Sequence, residues 1–166
     1  GDIEFNGSAL KKWALSDLAR LRAVLPQASS LSFPFIAHEV ILMGRMPHAS
    51  GREQDEAIVE EVMQVCDVKH LARRQYTALS GGERQRVQLA RVLAQIWQPE
   101  ALGHRLLLLD EPTSALDLSH QLDLMQLVRE VCGKAVTVLV IVHDLNLAAR
   151  FADRVMMLHN GSSVAL

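Results

Sequence analysis

Leu106-Leu107-Leu108-Leu109-Asp110-Glu111-Pro112 is an apolar run closed by two acids and a proline. An apolar stretch of this length suits a strand buried on both faces of a parallel sheet. Outward from it the texture is strand, helix, strand. A helix is predicted over about Ser119 to Val131, and a second apolar strand runs from Ala135 to Val142, closed by His143-Asp144. Parallel α/β sheets place ligands at the carboxyl ends of their strands. Asp110, Glu111 and His143 are therefore expected to meet on one edge. An acid directly after a hydrophobic strand is placed to hold Mg²⁺, usually through water. Pro112 is expected to hold Glu111 extended, where it can orient or deprotonate an attacking water while His143 hydrogen-bonds a phosphate. Taken alone, a strand that ends in Asp is equally ordinary chain termination.

Upstream, Leu79-Ser80-Gly81-Gly82-Glu83 opens a predicted helix. Ser80 with Glu83 forms the S-x-x-E capping box. Val87, Leu89, Ala90, Leu93, Ala94 and Trp97 continue the apolar face to about Trp97. Two glycines at a helix start let backbone approach an anion that the terminal amides and the helix dipole favour. By itself such a stretch is usually only a capped turn. Standing in order before the acid pair and the histidine, it reads as a second phosphate-binding device. The P-loop pattern G-x-x-x-x-G-K-[ST] does not occur in these residues. Gly133-Lys134 is followed by Ala135, and Val128 stands where the first glycine belongs.

Composition restricts the classes open to the chain. With 166 residues, 49% hydrophobic and 22% charged, it is one ordinary globular domain rather than a disordered segment. The formal net charge of -2 argues against a nucleic-acid surface or a basic membrane anchor. Cys66 and Cys132 form no CxxC pattern, so a reduced, cytosolic setting is expected. Ala135 to Val142, the longest apolar run, is too short to span a bilayer, and no signal-peptide pattern is present. Gly1 to Gly7 reads as a strand entering a turn, so the fold is expected to begin upstream of these residues.

Ser16 to Leu25 is weakly helical and gives way to a strand end at Val24-Leu25-Pro26-Gln27. A short helix is predicted from Pro34 to Met43, stopped by Gly44 and Pro47. A longer one runs from Glu53 to Cys66, with Ile58, Val59, Val62, Met63 and Cys66 on one face and solvated acids on the other. Arg154 to Leu158 and Ser163 to Leu166 read as a hairpin across Asn160-Gly161. The expected organisation is a β remnant over residues 1–27, a helical subdomain over 28–100 and an α/β core over 101–166.

In this order the motifs resemble those of the nucleotide-binding subunits of ABC transporters, over nearly the whole chain. Leu79 to Glu83 is similar to the signature motif, Leu106 to Glu111 to the Walker B strand, and Ser114-Ala115-Leu116-Asp117 to the D-loop. His143 is similar to the switch histidine and Gln27 to the Q-loop glutamine. The resemblance implies an α/β fold, a P-loop NTPase-type domain with a parallel-sheet core and a helical subdomain, truncated before the P-loop. It implies a hydrolase and translocase that uses ATP and Mg²⁺. Gln27 and Asp110 would serve Mg²⁺ and water, Glu111 would be the general base, and His143 would face the γ-phosphate. Ser80, Gly81, Gly82, Glu83 and Asp117 would serve an ATP held by a second copy in a head-to-tail dimer.

Phe33-Pro34-Phe35, Met43-Gly44-Arg45-Met46-Pro47-His48, Ser114 to Gln121 and the extra segment Trp97 to Arg105 look most like importers of haem (hemin), an iron compound. Importers of ferric siderophores or cobalamin share the Gly-Arg-x-Pro-His stretch. The partners this implies are an integral-membrane permease met near the Q-loop, with Phe33, Phe35 and Ile36 as exposed candidates, and indirectly a periplasmic haem-binding protein. The implied place is the cytoplasmic face of the bacterial inner membrane, as a peripheral subunit, and such residues would read the permease and not the cargo. His38, His48, His70, His104, His120 and His159 lack metal-ligand spacing, and no haem ligation is expected of them. The competing readings are a non-hydrolysing interaction module and a soluble ABC ATPase of DNA repair or translation. The latter is disfavoured by the charge and by the lack of a long coiled coil between Gln27 and Ser80.

Overall fold

The computed structural model of the protein describes residues 1–27, 31, 33–114, 116–132 and 135–165. Ala115 of the 114–117 stretch, Gly133-Lys134, Leu166 and the residues 28–30 and 32 after Gln27 lie outside the described residues. The chain opens with a small hairpin, β1 (Glu4–Phe5) and β2 (Ser8–Ala9), turned at Asn6-Gly7 with φ of 48° and 72°. That left-handed pair is what a two-residue hairpin asks of Asn-Gly. Helix α1 (Leu15–Leu21) then runs straight into β3 (Arg22–Leu25), so the helical tendency of this stretch stops earlier than its leucine spacing suggests. Helices α2 (Ala37–Leu42), α3 (Arg52–Val65) and α4 (Gly81–Gln95) follow. After them come β4 (Arg105–Asp110), α5 (Leu118–Cys132), β5 (Val136–Ile141) and α6 (Leu145–Phe151). A last hairpin, β6 (Met157–His159) and β7 (Ser162–Ala165), turns at Asn160-Gly161.

Strands β3, β4 and β5 form one parallel sheet in that order. The register sets Leu25 beside Leu109 and Asp110 beside Ile141, so the three carboxyl ends are level. One face is covered. Ala23, Leu25, Leu107 and Leu109 are buried in a core shared with Val87, Leu93 and Ala94 of α4 and with Leu124, Met125 and Val128 of α5. The other face is not: Val24, Leu139 and Ile141 are 43%, 62% and 53% exposed. Within this chain the apolar strands are thus buried on one face and exposed on the other. Apolarity on both sides of a strand states what each face tolerates, whereas burial needs a layer packed there, and the core cluster takes side chains from one side only.

The stretch Gly44 to His48 turns inward. A Cβ on Gly44 would lie 2.1 Å from the Arg91 carbonyl oxygen of α4, so only glycine lets the chain pass so close to that helix. Arg45, 2% exposed, then donates to the Ala94 carbonyl (2.7 Å), Asp55 Oδ1 (2.9 Å) and Ser50 Oγ (3.1 Å). His48 Nε2 lies 2.7 Å from the Gln95 carbonyl oxygen, and burial pushes its pKa below the ordinary value, favouring the neutral ring. Gln95 in turn donates to the Ala19 and Arg22 carbonyls beside β3. The end of α4 is thereby pinned to the sheet. Gly44→Ala is expected to lower stability by about 3 kcal/mol, the upper range for overpacking, because the obstructing atom is helix backbone. A denaturant midpoint within error of the wild type would show that α2 and α4 can separate freely.

Candidate functional site

Three loops leave the level end of the sheet, and each delivers one polar group. Gln27 follows β3, Asp110 and Glu111 end and follow β4, and His143 follows β5. Gln27 Nε2 donates to Glu111 Oε2 at 2.7 Å, and His143 Nε2 lies 2.6 Å from Glu111 Oε1. Both carboxylate oxygens are therefore held, one from each neighbouring strand end. The Glu111 side chain is 19% exposed and the His143 side chain 78%, so the imidazole faces solvent while the acid sits behind it. Asp110 is half-buried.

Glu111 is not extended. Its φ is 47°, in the left-handed region, and its N–H donates to the Ile141 carbonyl at 3.1 Å. A following proline disfavours the right-handed region and leaves others open; the bond to β5 selects the left-handed one. Such a conformation costs about 1–3 kcal/mol in a non-glycine residue and persists where surroundings impose it. Here the turn hydrogen bonds from Ser114 N–H and Ser114 Oγ to the Glu111 carbonyl (3.2 and 3.1 Å) share in imposing it. Asp144, next to His143, caps α6 by accepting from Asn146 and Leu147 N–H, which gives it a structural task.

The second device sits at the start of α4. Ser80 Oγ accepts from Glu83 N–H (3.2 Å), and Ser80 N–H donates to Glu83 Oε2 (2.7 Å), the full capping box. That backbone N–H holds the Glu83 carboxyl below the usual range, helped by Arg74, whose Nη1 is 3.0 Å from Glu83 Oε1. Because Ser80 Oγ acts as an acceptor, its hydroxyl proton stays available to an anion. Nothing lies within 4 Å of a Cβ placed on Gly81, so the approach to the first helix amides is open. A Cβ on Gly82 would touch Leu116 at 3.4 Å. Asp117 caps α5: its Oδ1 accepts from His120 N–H at 3.0 Å and its Oδ2 lies 2.8 Å from His120 Nδ1. The His120 backbone N–H is the main reason the Asp117 pKa is lowered.

The site residues read from the sequence thus fall into two groups. Gln27, Glu111 and His143 are joined directly, with Asp110 next to Glu111 in the chain; Ser80, Gly81, Gly82 and Glu83 form the start of α4, and Asp117 the start of α5. Of the exposed partner candidates, Phe33 is 68% exposed, while Phe35 and Ile36 are half-buried, Phe35 packing against the core. Within Gly44 to His48, Met46 is 81% exposed, while Gly44, Arg45 and His48 are engaged in packing and hydrogen bonds. Sequence reasoning passed over Gln85 and Gln121, whose amides grip the loop between Glu111 and Asp117. A polar side chain on an apolar helix face was the available signal. Among the described residues no group of three or more His, Cys, Asp or Glu could hold a metal, and no helix is long and apolar enough to cross a membrane.

A family model described as "ABC transporter" matches residues 1–114. The chain is similar to the hemin import ATP-binding protein HmuV of Pseudomonas entomophila, with 55% identity over 166 residues, covering 100% of this chain and 64% of that protein. The namesake protein of Plesiomonas shigelloides is 48% identical over 172 residues, covering 97% and 66%. The chain thus spans slightly less than two thirds of the length of either relative. Among solved structures, a nucleotide-free ATP-binding cassette from an ABC transporter superposes with a TM-score of 0.80 at 18% identity, covering 99% of this chain and 68% of that one. That likeness is one of fold.

Proposed function

This chain belongs to the ABC transporter family, and on that premise we propose that the whole protein hydrolyses ATP to drive an importer of haem or a related iron complex. The observation that carries the hydrolytic reading is the Glu111 carboxylate, held on one side by Gln27 and on the other by His143. In the proposed reaction a water enters where Glu111 now meets His143, Glu111 accepts its proton, and His143 turns its exposed ring to the γ-phosphate. Asp110 and Gln27 fit the sparse protein ligation of Mg²⁺, which keeps mostly water and nucleotide oxygens; bound there, the ion would neutralise phosphate charge.

Ser80, Gly81 and Gly82 supply a hydroxyl and open helix amides to the γ-phosphate of an ATP on a second copy, with Asp117 at the same interface. The family resemblance of these motifs supports a head-to-tail dimer. Residues 28–100 then act as the helical subdomain between the remnant 1–27 and the core 101–166. Phe33 and Met46 are the residues we assign to the permease, on the cytoplasmic face of the membrane. Haem is preferred as cargo because the similar proteins named above carry hemin import in their names.

The test uses the full-length protein with its permease in proteoliposomes. ATP turnover should rise when a haem-loaded periplasmic binding protein is enclosed. Stimulation by a ferric siderophore or cobalamin carrier instead would reassign the cargo. A folded full-length protein with no ATP turnover at all would leave the interaction-module reading in its place.

A further inference from the structure

The loop from Pro112 to Asp117 joins the two groups of the site, and the side chains that hold it come from two helices. Gln121 of α5 donates to the Leu116 carbonyl at 2.9 Å and to the Thr113 carbonyl at 3.3 Å. Gln85 of α4 donates to the Pro112 carbonyl at 3.0 Å, in a half-buried setting. Proline has no N–H, so that carbonyl is the backbone handle nearest Glu111 on its downstream side. Gln85 lies on the second turn of the helix whose first residues are Gly81 and Gly82. The capping box makes Ser80 and this helix one rigid unit. Any tilt of α4 is therefore delivered through Gln85 to the residue after Glu111, whose left-handed backbone is set by its surroundings.

We propose that Gln85 is a positioning residue that ties the Ser80-Gly81-Gly82 device to Glu111 of the same chain. This rests on the reading given above. Under that reading the two ends of the tie serve different ATP molecules, one on each side of the dimer. The hydrogen bond is then a route by which phosphate contact at one nucleotide sets the base at the other. It acts on the geometry of Glu111 and touches no substrate itself.

Three variants of the full-length protein test this. Gln85→Leu keeps the volume and removes the donor, Gln85→Glu puts an acceptor against a carbonyl, and Gln85→Lys restores an N–H. Misplacing a reacting group by a fraction of an ångström to an ångström lowers rate strongly. Gln85→Leu and Gln85→Glu should thus lose about 10- to 100-fold in kcat, with KM for ATP within about twofold. Their ATP dependence should become non-cooperative, and Gln85→Lys should recover most of the lost rate. A folded Gln85→Leu protein with wild-type kcat, or Lys and Leu variants that behave alike, would overturn the proposal. A second readout needs no turnover: exchange of the Ser114 and Leu116 amides in the present chain, which bond to the Glu111 and Thr113 carbonyls. It should speed up about tenfold or more in Gln85→Leu; unchanged exchange would sink the tie. Absence of ATP turnover in the wild type would instead count against the functional reading, and the exchange result would still decide the role of Gln85.

Discussion

Glu111→Gln in the full-length protein is expected to lower ATP turnover about 10²–10⁴-fold, the usual worth of a positioned general base, while ATP affinity stays within reach of the wild type. The amide keeps the shape of the side chain and still has an oxygen to accept from Gln27, now 2.7 Å away. It cannot take a proton from water. The contact with His143, 2.6 Å in the wild type, is kept if the imidazole tautomer adjusts, so the fold at the strand ends is preserved. Binding and turnover should therefore separate cleanly: nucleotide titration unchanged, phosphate release nearly abolished. Equal turnover in the two proteins would remove Glu111 from the role of base.

The 166-residue chain is expected to bind ATP about 10⁴-fold more weakly than a version extended by a P-loop. A P-loop gives the phosphates several backbone N–H groups and a lysine. At about 1.5–3 kcal/mol for each charge-assisted hydrogen bond, four such bonds amount to roughly 6 kcal/mol. Gln27, Asp110 and His143 offer three side chains in place of that cradle. Ser80-Gly81-Gly82 does not compensate, because under our reading it faces another copy's nucleotide. Calorimetric titration of the two proteins measures the difference. Micromolar binding by the unextended chain, or turnover above its Glu111→Gln control, would show that the strand ends alone suffice.

Much of the site was legible because it depends on local chemistry. The Ser80-Glu83 capping box, the acid pair after a leucine strand and the Asn-Gly turns act over a few residues, so their geometry follows from residue type and spacing. Element boundaries were less legible: α4 ends at Gln95 rather than Trp97, where Gln95 turns its side chain to the Ala19 and Arg22 carbonyls, and β6 covers Met157–His159 rather than Arg154 to Leu158. Other readings failed where a distant partner decides. Pro112 suggested an extended Glu111, but the bond from Glu111 N–H to the Ile141 carbonyl chose the left-handed conformation. The Gly-Arg-Met-Pro-His stretch was legible only as a helix stop and by its likeness to importer sequences. That Gly44, Arg45 and His48 are engaged with α4 and its neighbours while Met46 is exposed came from the structure.

The sequence by itself determined the family, the order of the strands' chemistry and the identity of the groups at their ends, because hydrophobic period and motif spacing are properties of neighbouring residues. Strand pattern also set Glu111 and His143 on one edge, but only the tertiary structure decided which atoms meet there. The parallel register levels three strand ends and so brings Gln27 and His143 to opposite oxygens of Glu111, across 84 and 32 residues of chain. It also decided that Gln85 reaches Pro112, an amide from one helix on a carbonyl in a loop 27 residues away. Such contacts depend on how helices seat on a sheet, which no local pattern encodes.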